Sequence, residues 1–464
     1  MKRLLPFTLL FAALPGALGA QARPPSPEFR ISYEEETLPN GLKVIYHVDR
    51  SAPVAAVDIW YDVGSKHEQP GRTGFAHLFE HMMFMGSRNV GQREHYDLLA
   101  EAGTRAGPDA NGTTSFDRTN YFEQFSSNYL ERALWLEADR MGTLLETLTP
   151  EKLDLQRDVV KNERRQSYDN QPYGIWMEKL LSHTFPAGHP YSHSVIGSMA
   201  DLSAATLDDV RSFFRTYYAP NNAVLAVVGD IDVAEAKRLV RKHFGDIPRG
   251  PDAPPLRDAS LPAKIGASPR EVVDDANAPA PRVYVAYRMP PARDPRAESV
   301  QLLASIIGGL QSSALDESLV RRQQIATGVS AFNFGLLDGA DLLVVTATGK
   351  PGSDPDALER ALLAELDRMG QEITSEALGR ARATRRFQVV NGLQNMGGFG
   401  GRADLLAEAW TYHRDPNWVN TRLAKYDAVT VEGVRALAAE RLTPDNRAVV
   451  VFVPRKNSPE KVGQ

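Results

Sequence analysis

Three ionisable residues, His77, Glu80 and His81, stand in the run GFAHLFEHMMFM over residues 74–85, which is otherwise almost wholly apolar. Such a run marks a buried helix. His77 and His81 are four apart and Glu80 is three from His77, so the three side chains leave one face. Two imidazoles at that spacing can hold one tetrahedral ion, with Zn–N bonds of about 2.0–2.1 Å, while the carboxylate beside them reaches a water molecule. Burying three such groups with no partner would cost several kcal/mol. A metal ion offsets that cost, so the chemistry implied is metal-assisted hydrolysis with Glu80 as proton acceptor.

A tetrahedral catalytic centre needs a third protein ligand and one open position. The chain has no Cys, so the ligand must be His, Asp or Glu, and no disulfide or thiolate nucleophile exists. The segment LQRDVVKNERR, residues 155–165, has helical character and places Gln156 and Glu163, seven apart, on one face. Glu151 and Glu178 also lie within range, so spacing alone leaves the choice open.

The elements that must position these groups can be read from the rest of the 464 residues. With 42% hydrophobic and 24% charged residues and a net charge of −5, the chain is globular, and nothing favours nucleic acid or an anionic membrane as partner. Residues 1–22 have a charged start, an apolar stretch too short to span a bilayer and a small-residue end, as in a secretory signal peptide; the expectation is export to a bacterial periplasm or medium, with no membrane span after cleavage. Strands are expected in GLKVIYHVDR and APVAAVDIWYDVGS and over 222–228, and helices from Gly74, over 129–146, over 151–168 and over 207–218. Residues 249–270, rich in Pro, Gly and Ala, read as a linker between 28–248 and 271–458. A shift of 224 residues lays 206–227 over 430–451 with six of 22 positions identical, among them Pro220/Pro444 and Asn222/Asn446. The expectation is an α+β chain of two related domains, each a mixed sheet flanked by helices. His183, His189 and His193 are interrupted by Pro and Gly and read as a structured loop, not a second metal site.

The motif His77-x-x-Glu80-His81 followed by Val159-Val160-Lys161-Asn162-Glu163-Arg164 resembles the M16 family of inverted-motif zinc peptidases, which includes pitrilysin, insulysin and the mitochondrial processing peptidases. The resemblance implies Zn²⁺ on His77, His81 and Glu163, with Glu80 as general base. It also implies that the stretch ANGTTSFDRTNY from Ala110 is an edge strand on which a peptide adds, with Asn111 helping to hold it; as a bare dipeptide, Asn111-Gly112 could equally be a hairpin turn. Two departures stand out. The 81 residues between His81 and Glu163 exceed the family's usual spacing, and Gln156 replaces a Glu, so it can hydrogen-bond a ligand without adding charge.

In the second half, QLLASIIGGLQSS over 301–313 takes the place of the motif helix without His or Glu. Where the family's single-chain and homomeric members carry an Arg and, seven residues on, a Tyr that reach across to the substrate, this chain has Val320 and Thr327; Arg321 and Arg322 are turned by about 100° per residue from the matching position. The resemblance therefore implies an exported zinc endopeptidase acting on peptides or unfolded segments as the metal-bearing subunit of a heteromer, whose related partner supplies Arg and Tyr. The alternative is a non-catalytic binding or assembly subunit that keeps the fold.

Overall fold

The Val-, Ile- and aromatic-rich segments pair into two mixed sheets in a computed structural model that describes residues 30–455. Residues 1–22, read as a signal peptide, lie outside the described residues, as does the end of the 271–458 segment. In the first half, β1 (Glu34–Thr37), β2 (Lys43–Val48), β3 (Val54–Tyr61), β4 (Ala110–Thr114), β5 (Thr119–Ser126) and β6 (Ala223–Gly229) form a sheet of order β1-β2-β6-β3-β5-β4. In the second, β7 (Arg270–Asp275), β8 (Arg282–Met289), β9 (Ala326–Asn333), β10 (Asp341–Gly349) and β11 (Arg447–Pro454) give β7-β11-β8-β10-β9. Without β1 the two orders are the same. β2/β6 and β7/β11 are the parallel pairs, and every other pairing is antiparallel.

The internal repeat now has a physical basis. Its two copies are the helices Leu207–Tyr217 and Val431–Arg441, each followed by a strand, β6 or β11, at the equivalent place in its sheet. Thr206 and Thr430 cap the helix N-termini, accepting from the amides of Asp209 and Gly433. The shared Asn does the same task twice: Asn222 donates to the carbonyls of Tyr217 (2.9 Å) and Asp62 (3.3 Å), Asn446 to those of Arg441 (2.8 Å) and Arg288 (2.9 Å). Each amide thereby ties a helix end to the strand end beside it.

Each half also lends a helix to the other. Trp176–Thr184 from the first half lays Leu180 and Leu181 on the second sheet, against Tyr284, Ala286, Val344 and Phe452. Arg402–His413 from the second half packs Ala403, Leu406 and Ala407 on the first sheet, against Ile45, Ala56, Val224 and Val228. A fully buried Leu contributes roughly 1.5–3 kcal/mol, so these exchanged faces weld the halves. Buried Lys66 adds an ionic tie, reaching Asp117 at 2.9 Å in its own half and Asp338 at 2.8 Å in the other. From Ile31 onward the described residues form a single compact unit. Residues 249–269, which carry the chain between the sheets, contain no helix or strand. Among the described residues no helix is long and apolar enough to cross a membrane.

Candidate metal centre

His77, Glu80 and His81 sit on the helix Phe75–Met82, whose Phe75, Leu78, Phe79 and Met82 are buried in the first core. Two devices fix its start. Gly74 enters with φ +87°, and a Cβ there would lie 2.7 Å from the Ile196 carbonyl, so only glycine fits the turn. Buried Glu68 then accepts hydrogen bonds from the amides of Gly74 (2.9 Å) and Ala76 (2.8 Å), satisfying donors that a helix start leaves open. Nothing in the sequence pattern of the motif signalled Glu68.

The helix Pro150–Arg164 brings up the third group. It starts on Thr149, which caps the Lys152 amide, has Pro at its first position, and anchors Leu153 and Val160 in the core. Glu163 Oε2 stands 3.4 Å from His81 Nε2 and 3.7 Å from His77 Nε2. The edges of a tetrahedron with bonds of about 2.05 Å are about 3.4 Å, so the two Glu163 edges come close to the spacing that a zinc ion requires, and all three donor atoms lie within 4.8 Å of one another. Gln156 Oε1 lies 3.3 Å from His81 Nδ1, while its amide nitrogen contacts Met85 Sδ at 2.8 Å. With that amide orientation His81 carries its proton on Nδ1 and leaves Nε2 free to bind a metal.

Electrostatics separate the two histidines. Burial, then the neighbouring His81 charge, pushes His77 down to about 4, which keeps the imidazole neutral; among the described residues its Nδ1 is buried without a hydrogen-bond partner. Burial also opposes charge on His81, but the Glu163 hydrogen bond and the charges of Glu80 and Glu163 outweigh it and raise its pKa. The same hydrogen bond lowers Glu163. Burial raises Glu80, and the Thr114 hydroxyl, donating to Glu80 Oε2 at 2.6 Å, offsets part of that rise. A buried carboxylate with raised proton affinity is suited to accept a proton.

β4 runs past Glu80 at the edge of the first sheet. Gln124 donates to the Asp109 carbonyl and Ser115 to that of Arg118, so the hydrogen-bonded pairs with β5 fall on residues 109, 111, 113 and 115. Gly112 and Thr114 therefore turn their backbone groups to the open edge, whereas Ala110 is covered by Arg105 and Gly107. These two residues also face Glu80. A Cβ on Gly112 would lie 3.1 Å from Glu80 Oε1, so a larger residue here would crowd that carboxylate. Asn111 lies within β4 and is not a hairpin turn; the turn is at 115–118. Its side chain leaves the opposite face of the strand, and its Oδ1 accepts from the Gly112 amide at 2.9 Å. Arg118, which has no place in the motif, donates to the Thr113 carbonyl at 3.0 Å, lies over Trp60 at 4.8 Å, and its charge offsets a further part of the burial-driven rise at Glu80.

His183, His189 and His193 do not converge: His183 meets Glu271 (2.9 Å), His189 the Ala259 carbonyl (3.1 Å), and His193 the helix-capping Glu68 (2.9 Å). A second close triad, His95, Glu123 and Glu137, is fully buried, and Arg140 already supplies its cation through Glu137. Glu178 is held by Arg164 at 2.6 Å, which removes it from the ligand candidates. In the second half Val320 packs against the core on the helical segment Asp316–Arg322, and Thr327 donates to the carbonyls of Thr348 (3.2 Å) and Gly349 (3.3 Å). Arg321 pairs with Asp316 at 2.8 Å.

Comparison with known proteins places this architecture. Residues 43–198 match the family model described as Insulinase (Peptidase family M16), and residues 204–385 match that of the Peptidase M16 inactive domain. Over 418 residues the chain is 29% identical to a zinc protease, PqqE, of Helicobacter pylori, covering 88% of this chain and 90% of that one. The crystal structure of a protease from Helicobacter pylori superposes with a TM-score of 0.83 at 27% identity, over 92% of this chain and all of that one. The fold is also that of the periplasmic protease PqqL of Escherichia coli (TM-score 0.71, 20% identity), where 92% of this chain matches 48% of a longer one. Two like-ordered sheets, and two models of one family that together span most of residues 43–385, lead to one conclusion: the chain belongs to peptidase family M16.

Proposed function

We propose that this protein is an exported zinc-dependent endopeptidase acting on peptides or unfolded segments. The observation that carries the reading is convergence: His77, His81 and Glu163 meet at metal-ligand spacing beside Glu80, and Glu80 touches the two residues of β4 whose backbone is open to an added strand. Bound by those three residues, zinc supplies Lewis-acid polarisation of the scissile carbonyl and of a water molecule. Glu80 takes the proton of that water and returns it to the leaving amine, with Thr114 orienting its carboxylate. Gly112 and Thr114 pair with the substrate backbone, which displaces the Asn111 carbonyl from the Gly112 amide and frees the Asn111 side chain to hold the peptide. Gln156 keeps His81 in the metal-binding tautomer.

The 28–248 and 271–458 segments are taken as two diverged domains, of which the first bears the chemistry. The chain is the metal-bearing subunit of a heteromer, and a related partner supplies the Arg and Tyr missing at Val320 and Thr327; the match to 48% of a longer chain supports a working unit of two such halves. Periplasmic or secreted location rests on the leader-like N-terminus and on the likeness to a periplasmic protease. The inward packing of Val320 favours one other reading, a non-catalytic assembly subunit. Cleavage of a quenched peptide separates the two: the peptidase requires turnover that appears with the related partner, disappears with a chelator and returns with zinc. Full turnover by the chain alone would remove the partner requirement, and chelator-resistant turnover would remove the metal.

A further inference from the structure

A cavity of about 520 Å³ lies between the halves on the face of the first sheet opposite the motif helix. Its volume falls in the range of small-ligand sites, roughly 300–1,000 Å³. Trp60, Tyr412 and Trp418 give it aromatic walls, and Phe332, 37% exposed, stands at its rim. Its charges are what set it apart. Burial depresses Arg385 and the nearby Arg422 charge adds to it, yet among the described residues neither arginine forms an ion pair with a carboxylate. Among the described residues the Nε atoms of both, and Nε1 of Trp418, are buried without a hydrogen-bond partner, and the Arg422 guanidinium carbon lies 4.8 Å from the centre of the Trp418 ring. Glu408 faces them: it and Arg422 attract each other, but Glu408 makes no hydrogen bond and no ion pair among the described residues.

Arg385 donates from one terminal nitrogen to Gln388 (3.2 Å) and Arg422 hydrogen-bonds Tyr426, but each keeps an unpaired Nε donor, which suits an anion with planar geometry, and the partly buried Glu408 carboxylate, without a hydrogen bond among the described residues, suits a cation. Of the other acids on the wall, Asp404 is occupied by the Trp60 indole (3.1 Å) and the Gly400 amide (2.8 Å), Asp117 by Lys66 (2.9 Å) and the Tyr191 hydroxyl (2.6 Å), and Glu298 adds a second negative charge that acts on Arg422; Arg118 is taken by Thr113. We infer that this cavity binds a short zwitterionic peptide of two or three residues, with its carboxylate on Arg385 and Arg422, its ammonium on Glu408 and its side chains against the aromatic walls. The site is separate from the metal centre and does not depend on the proposed peptidase reading.

Isothermal titration of the full chain with alanyl-phenylalanine, its N-acetyl form and its C-terminal amide, with and without EDTA, tests the assignment. The free dipeptide is expected to bind in either condition, and each blocked form to bind roughly tenfold or more weakly, the size of a lost charged hydrogen bond. Glu408→Gln should abolish the penalty for acetylation and leave that for amidation; Arg422→Gln should do the reverse. Circular dichroism melting establishes that each variant folds, and Arg385→Gln replaces Arg422→Gln if the latter does not. Absence of binding at millimolar dipeptide, equal binding of free and blocked forms, or discrimination that survives both substitutions would overturn the site. Binding that disappears with EDTA would assign it to the metal centre and overturn the inference as well.

Discussion

The helices Phe75–Met82 and Ala297–Ile307 occupy corresponding places against β4 and β9, yet one carries a cluster of ionisable side chains and the other only packs. In the first, His77, Glu80 and His81 interrupt the apolar face, and Glu80 fills the space beside Gly112. In the second, Leu302, Leu303, Ala304, Ile306 and Ile307 are all buried, and Gly308 comes so near β9 that a Cβ would lie 2.9 Å from the Ala331 amide. Ionisable groups in a core must be compensated. Where the polar partners are absent the helix has closed onto its sheet; where Glu163 comes up from another helix, three polar side chains are kept. In the half that keeps the polar triad, a second element supplies the partner that the first cannot.

The largest effect expected from breaking this contrast is on turnover. Glu80→Gln should leave zinc content, measured by plasma mass spectrometry, unchanged while lowering peptide cleavage by about 10²–10⁴-fold, the usual weight of a general base. Cleavage at the wild-type rate would show that the first helix is no more catalytic than the second.

A smaller effect sharpens what the halves share. Asn222→Ala and Asn446→Ala each leave two carbonyls without their donor and should cost about 1–3 kcal/mol, read from urea denaturation. Asn446 is fully buried (0% exposed) and should lie at the upper end. A silent substitution at either position would mean that the repeated Asn no longer does equivalent work in both halves.

The smallest effect separates the halves by pH. Burial, with the Lys66 charge, lowers His67 to about 4, so it folds neutral; its contribution is present above its ordinary pKa of 6.5 and is lost as pH falls toward 4. Burial raises Asp341 in the second sheet to about 6, against hydrogen bonds from Asn333 and three backbone amides; its contribution is present below 3.8 and is lost as pH rises through 6. The melting difference between wild type and His67→Gln should therefore shrink toward acid, and that for Asp341→Asn should shrink toward neutrality. Slopes of the same sign would contradict the assignment.

Much of the frame was legible because it is local. The 2.0 and 3.6 periodicities place strands and helices within a few residues of where they lie, and the Thr and Asn of the repeat act on neighbours within about a turn. The site was legible only in part. Glu68 and Arg118 act on the motif helix and on β4 through side chains that follow no period, and Asn111 leaves the strand on the face away from Glu80, which an edge-strand resemblance does not specify.

By itself the sequence determined that one helix carries two imidazoles and a carboxylate on a single face, that its counterpart carries none, and that no thiol takes part, because identity and helical pitch settle these within a few turns. Only the tertiary structure decided that Glu163, and not Glu178, comes within 3.4 Å of His81, that Gly112 and Thr114 are the open positions beside Glu80, and that each half completes the other's core with a borrowed helix. Those outcomes depend on which elements pack together across long separations, where the burial of apolar faces and the pairing of buried charge, not local spacing, select the partner.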